Sequence, residues 1–358
     1  MEKKARSAVC FTIWFPEHNN PRYAYLFPKL EDEVRFYKLM LSRQRLIRAA
    51  QFCLWHRLKS SVYRLLLPQL ARRYRVLFAV DLLQIPAWPY RSSVVVDVDD
   101  PRYIEMEVEL LNLPQVKAII VTTEKAKKIF QDMGVKRPIF IIPQGVDFSR
   151  LDWERAKRIG EQLKAPNELI VGYHAPTLTV SSDGRRRPRG GLDDLDFLFS
   201  AFEEAVQVEP RLRLWLLGRA SKGVLERAKS MSFVRILGYV PFHDILNFVA
   251  NFDIGVYPRV VQDFPPGRFS VKIAQMMACG IPIVSTRADE AFIIREAECG
   301  MVCGSKEEFV RALIELARSP ELRLRLGKQG EAYARTYLDW NILVNRYKRI
   351  LSEQLGFA

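Results

Sequence analysis

The stretch Phe269-Ser270-Val271-Lys272-Ile273-Ala274-Gln275-Met276-Met277-Ala278-Cys279-Gly280-Ile281-Pro282-Ile283-Val284 sets a short helix and a strand back to back. Ser270 stands as an N-cap, Gly280 and Pro282 stop the helix, and Ile281–Ser285 reads as a buried strand. Lys272 and Gln275 are three residues apart, so they share one helical face. A helix start that points backbone N–H groups and a lysine outward suits an anion. A plain surface helix with a serine cap has the same spacing, so the flanking segments must decide.

On both sides of this stretch strand and helix alternate. Before it come a strand at Glu168–Tyr173, a polar loop at 181–191 and a helix over Leu192–Val208. Strands Arg213–Leu217 and Val234–Leu237 then end at Gly218 and Gly238, ahead of a helix at Asp244–Phe252 and a strand at Ile254–Tyr257. A strand at Met301–Cys303 and a long helical tail follow. The N-terminal half repeats the plan. Ala8–Phe15, Tyr74–Val80, the stretch Ser93–Pro101 with its carboxylate end, Ala118–Thr122 and Pro138–Ile142 read as buried strands, with helices at Glu105–Leu113 and Glu124–Met133. Alternation of this kind predicts an α/β protein with parallel, doubly wound sheets, here two Rossmann-like domains facing a cleft. The expected division is an N-terminal domain over 1–165, a C-terminal domain over 166–338, and a helix at 339–358 crossing back onto the first.

The 358 residues exceed one ordinary core, which agrees with two domains of about 150–180 residues. Hydrophobic residues make up 49% and aromatics 11%, as in a folded globular protein. No apolar run approaches the ~20 residues of a membrane-spanning helix. The basic, then apolar N-terminus is too short for a signal peptide and Pro16 ends it, so it reads as a first strand. Five cysteines (Cys10, Cys53, Cys279, Cys299 and Cys303) have no paired spacing and make a poor metal set. Reduced thiols in a cytoplasmic protein are the expectation.

The formal charge of +14 calls for an anionic partner: nucleic acid, acidic lipid or phosphorylated substrate. No nucleic-acid module is recognisable. Ser42 to Val80 holds Arg43, Arg45, Arg48, Arg57, Lys59, Arg64, Arg72, Arg73 and Arg75 and no acidic residue, with apolar residues between them at three-to-four spacing. This describes either an amphipathic helix for the inner face of an anionic membrane or a domain helix with a solvated basic face.

Taken in order, the motifs resemble those of GT-B glycosyltransferases of group 1. Pro143-Gln-Gly-Val-Asp147 resembles the Pro-Asn-Gly-Val-Asp that closes their first domain, and Phe252-Asp-Ile-Gly-Val-Tyr-Pro258 their strand ending in proline. Ser270-x-Lys272-x-x-Gln275 through Ala278-x-Gly280-x-Pro282-Ile-Val284 resembles the block that binds the nucleotide sugar. The family places glutamate where Gln275 stands, although bacterial glucuronosyltransferases of exopolysaccharide assembly carry glutamine there. Glutamine offers sugar hydroxyls a donor and an acceptor without charge and would not repel an acidic sugar.

The resemblance implies transfer of a sugar from a nucleoside diphosphate donor to a glycan, lipid-linked or small-molecule acceptor. Ser270, Val271, Lys272 and Gln275 would bind the donor, and Arg189 would supply a second diphosphate cation, with Arg185–Arg187 as substitutes. The loop Gly238-Tyr239-Val240 matches the family's base-reading loop, and Tyr257 either flanks the base or belongs to the core. Asp99 and Asp100 are the catalytic-base candidates, with helix capping as their other reading, and His18 lies on the acceptor side. Asp97-Val-Asp99 spells a metal-binding Asp-x-Asp, but Lys272, the helix start and Arg189 could neutralise the leaving group without a metal. No cofactor beyond the nucleotide-sugar co-substrate is expected. The alternative is a catalytically degenerate nucleotide-sugar-binding subunit.

Overall fold

The computed structural model describes residues 8–14, 21–40, 52–99, 101–180, 195–259 and 266–355, with side chains of helix Phe52–Leu70 from Lys59 onward. His18, Arg43, Arg45, Arg48, Asp100, Arg185–Arg187 and Arg189 lie outside the described residues. The chain divides into two compact units. The first comprises Met1–Gln144, Pro265–Phe269 and Trp340–Ala358, the second Gly145–Phe264 and Ser270–Asp339.

The first unit holds a six-stranded sheet of β1 (Ala8–Trp14), β2 (Val34–Met40), β3 (Val76–Ala79), β4 (Ser93–Val98), β5 (Val116–Val121) and β6 (Ile139–Ile141), in the order β2-β1-β3-β4-β5-β6. Every pairing is parallel. Val94–Val96 and Ala118–Val121 are buried residue after residue, as strands covered on both faces require. β2 and the preceding helix Pro21–Lys29 were not among the predicted elements. Arg35 and Lys38 break the apolar run of Val-Arg-Phe-Tyr-Lys-Leu-Met, as suits a strand at the edge of the sheet.

The second unit repeats the architecture. Its strands are β7 (Leu169–Leu178), β8 (Leu212–Ala220), β9 (Val234–Gly238), β10 (Ile254–Tyr257), β11 (Ile283–Thr286) and β12 (Gly300–Cys303), in the order β12-β11-β10-β7-β8-β9, again all parallel. The predicted α/β class with two doubly wound sheets is the observed one.

Gly218 does not end β8 as expected, since the strand runs through it to Ala220. At φ +154°, a Cβ there would fall 2.2 Å from the Ala175 carbonyl oxygen, so the glycine allows the close approach of β7. The division after Gln144 precedes the boundary expected at 165, because helix Trp153–Leu163 packs within the second unit. Arg155 binds Asp244 at 2.7 and 2.6 Å, and the Asp152 amide donates to Asn247 at 2.8 Å. Helix Trp340–Leu355 belongs to the first unit, where Trp340, Leu343, Tyr347 and Leu351 are buried. On helix Phe52–Leu70, Tyr63 and Leu67 enter the core while Arg64 and Leu65 face solvent. Among the described residues no helix is long and apolar enough to cross a membrane.

Candidate functional site

In the second sheet the chain runs from β7 outward to β9, then returns to β10 on the other side of β7 and runs outward to β12. The crevice at the carboxyl ends of β7 and β10 is therefore a topological switch point, where open α/β sheets bind ligands. Tyr173 on β7 and Tyr257 at the end of β10 flank it, and both are buried. Lys272 joins them from the first turn of helix Val271–Ala278. Its Nζ lies 3.4 Å from the Tyr173 hydroxyl, 5.3 Å from that ring's centroid and 5.7 Å from the Tyr257 ring. Two ring faces hold the ammonium in place by cation–π attraction. Sequence reasoning had singled out Lys272 and Tyr257 and missed Tyr173.

Ser270 occupies the N-cap position with extended backbone, yet its side chain makes no capping bond, contrary to the expectation for a serine there. The first-turn N–H groups of this helix, those of Val271 and Lys272 included, thus lack the usual hydroxyl acceptor, and the helix end keeps its preference for an anion. Gln275 is buried one turn on, and its amide makes no hydrogen bond to a described residue. Beyond β10 and β11, Arg259 and Glu290 form a buried ion pair. Thr286 Oγ1 accepts from the Arg259 amide at 2.9 Å and donates to its carbonyl.

β9 ends at Gly238, whose φ of +78° turns the chain so that Tyr239 emerges while Val240 is buried. The exposed guanidinium of Arg219, from the end of β8, lies 4.2 Å from the Tyr239 ring centroid. Arg219 makes no ion pair with a described carboxylate. A stacked arginine–tyrosine pair at a sheet's carboxyl edge offers a flat face to another ring. Arg219 was not singled out in the sequence, since its partner sits 20 residues away on the next strand.

In the first unit, Asp97 closes β4 in a sealed cluster. Arg22 Nε donates to both carboxylate oxygens at 3.2 and 3.1 Å, and Tyr347 Oη donates to one of them at 2.6 Å. Arg22 also donates to the Pro143 and Ile142 carbonyls at 3.0 Å each. Burial by itself would weaken the Arg22 cation, but the Asp97 carboxylate, with Tyr347 and Asp99 beyond it, raises its pKa above the ordinary arginine value. Asp97 is thereby committed to internal donors rather than presented as half of an Asp-x-Asp cation site.

Asp99, half-buried, accepts from Gln144 and lines a cavity of about 300 Å³ at the carboxyl ends of β3 and β4. Lys59, Asp81, Arg102 and Glu107 are among its other polar lining residues, and Tyr23 and Asp97 border it as well. Lys59 Nζ is 2.8 Å and the Tyr63 hydroxyl 3.1 Å from Asp81 Oδ2.

Residues 184–319 match the family model described as Glycosyl transferases group 1. The chain as a whole is similar in fold to Anabaena Alr3699/HepE solved in complex with UDP-glucose. The TM-score is 0.71 at 16% identity, covering 96% of this chain and 99% of that one. Sucrose-phosphate synthase (tll1590) from Thermosynechococcus elongatus matches with a TM-score of 0.69 at 13% identity over 99% of this chain and 100% of that one. WaaG, a glycosyltransferase involved in lipopolysaccharide biosynthesis, matches with a TM-score of 0.66 at 15% identity over 97% and 99%. At these identities the likeness establishes the fold, the expected GT-B arrangement of two Rossmann-like sheets.

Proposed function

We propose that this protein is a glycosyltransferase that moves a sugar from a nucleoside diphosphate donor to a glycan, lipid-linked or small-molecule acceptor, with retention and without a metal ion, a reading supported by the group 1 match over 184–319. The observation that carries the donor assignment is Lys272 held between Tyr173 and Tyr257 at the switch point. Lys272 and the adjoining helix start receive the diphosphate, and Arg189 adds a second cation.

As the bond from the anomeric carbon to the diphosphate breaks, negative charge builds on the leaving oxygen and the sugar gains oxocarbenium character. A cation and N–H dipoles aimed at that oxygen contribute about 3 kcal/mol each to the transition state. Gln275 hydrogen-bonds donor hydroxyls with its uncommitted amide. Tyr239 stacks on the nucleobase, with the Gly238–Val240 backbone beside it. The acceptor hydroxyl forms the new bond to the anomeric carbon. In retaining transfer its proton passes to the departing phosphate, and Asp99, with Asp100 adjoining, would be the base if transfer inverts. His18 is assigned to the acceptor from the sequence, and the protein works at the cytoplasmic side of an anionic membrane. The complex of HepE with UDP-glucose makes UDP-glucose the first donor to try.

Gln275, standing where the family carries glutamate, raises the second reading of a nucleotide-sugar-binding subunit without turnover. Thermal shift with UDP, GDP and their sugars, followed by a donor panel read by mass spectrometry, tests both. Stabilisation with sugar transfer supports the enzyme, and stabilisation without transfer or donor hydrolysis supports the degenerate subunit. No shift with any nucleotide removes the donor site.

A further inference from the structure

Beside the polar groups of the first unit's cavity lie Leu82 and Leu83, from the 3₁₀ turn Leu82–Ala87, and Ile104 and Met106 from the start of helix Glu105–Leu111. Ile104 is 41% and Met106 49% exposed. Local structure does not account for either. Ile104 stands at the N-cap of its helix, where serine, threonine, aspartate or asparagine is favoured, and it makes no side-chain cap bond.

The turn that presents it is held in an unfavourable conformation. Tyr103 has φ +55°, a left-handed backbone for a bulky residue. Glu107 Oε2 pins that turn by accepting from the Arg102 and Tyr103 amides at 2.9 and 2.8 Å. The Tyr103 hydroxyl anchors it further by donating to the Pro266 carbonyl at 2.7 Å. Backbone held this way at the mouth of a cavity is characteristic of ligand sites. Neighbouring apolar side chains left in water there mark a surface that something apolar covers.

We propose that the acceptor is an amphiphile, a sugar head joined to an aliphatic chain, bound in this cavity. The inference rests on the glycosyl-transfer reading and names the acceptor class for it. A cavity of about 300 Å³ lies at the lower end of small-molecule sites and accommodates a sugar ring. Asp81 and Asp99 accept from the head's hydroxyls, and Lys59 and Arg102 donate to its oxygens. The chain lies along Ile104 and Met106, beside the half-buried Leu82 and Leu83. A free polar sugar would leave Ile104 and Met106 in water.

The test is calorimetric titration with n-octyl β-glucoside, β-galactoside and β-mannoside below their micelle concentrations, each against its free sugar, with UDP present. The wild type, the double variant Ile104→Ser/Met106→Ser and a control, Leu65→Ser, are compared; Leu65 is 67% exposed on helix Phe52–Leu70. At least one octyl glycoside is expected to bind at least about tenfold tighter than its free sugar, the gain from covering about two methylenes. That gain disappears in the double variant and persists in the control. Binding that ignores the chain, or a gain lost equally in the control, overturns the proposal. Stabilisation by UDP, read on the same samples, reports separately on the donor site. Its absence from all three proteins would count against the glycosyl-transfer reading and not against the chain-length result.

Discussion

Arg22 Nε lies 3.2 and 3.1 Å from the two carboxylate oxygens of Asp97, and both side chains are closed to solvent. The pair joins helix Pro21–Lys29 to the end of β4, and the Tyr347 hydroxyl, 2.6 Å from Asp97, brings in helix Trp340–Leu355. Removing one member of a buried charged pair costs more than the pair contributes, because the other is left without compensation. Arg22→Met is expected to destabilise the first unit by about 3–5 kcal/mol. Tyr347→Phe, which deletes one donor, should cost about 1–3 kcal/mol. Urea unfolding of both variants checks this, and a neutral Arg22→Met would refute the cluster's structural role.

Lys272→Ala should weaken nucleoside diphosphate binding by about 10–100-fold, the worth of one charge-assisted contact. Isothermal titration with UDP and GDP reads it directly. An unchanged affinity would remove Lys272 from the diphosphate site and leave its place between Tyr173 and Tyr257 as a matter of core structure.

Tyr239→Ala is expected to lower nucleotide affinity through lost stacking, by about 1–3 kcal/mol, and to flatten the preference among bases. Arg219→Ala should give a smaller loss of the same kind, since its guanidinium lies against the Tyr239 ring and would act on the base only through it. Competition among UDP, GDP and ADP measures both. Variants that keep full affinity and full selectivity would place the base elsewhere.

The buried thiols carry a pH signature. Burial raises Cys299 to about 12, and burial, with Glu308 nearby, raises Cys303 to about 11. Their protonated forms favour the fold fully below the unfolded thiol pKa of about 8.5, and that contribution is lost as pH rises through the folded values. Iodoacetamide at pH 8 should therefore leave both unmodified in the native protein and label both in urea. Rapid native labelling of either, seen by peptide mass mapping, would contradict the burial.

Flotation with liposomes should require anionic lipid, and neutralising Arg43, Arg45 and Arg48 together should weaken it. The expected loss is about 1 kcal/mol for each charge near the surface. Equal flotation with neutral liposomes would reject the electrostatic mechanism.

Local pattern was enough for the α/β class, the doubling of the sheet and the place of Lys272. Apolar runs such as Val94–Val96, and a helix stopped by Gly280 and Pro282, act through neighbours in the chain. Family resemblance supplied the donor role proposed for Lys272, and the group 1 match over 184–319 covers its stretch. Other features required the tertiary structure, because they depend on residues far apart in sequence. Arg22 meets Tyr347 across 325 positions, and Lys272 meets Tyr173 across 99. Nothing in Asp97-Val-Asp99 tells that, of two residues lining one cavity, the first has its carboxylate buried on an arginine while the second accepts from Gln144. The alternation of a strand assigns faces, but which charge waits behind a face is decided only when the sheet and its helices close around it.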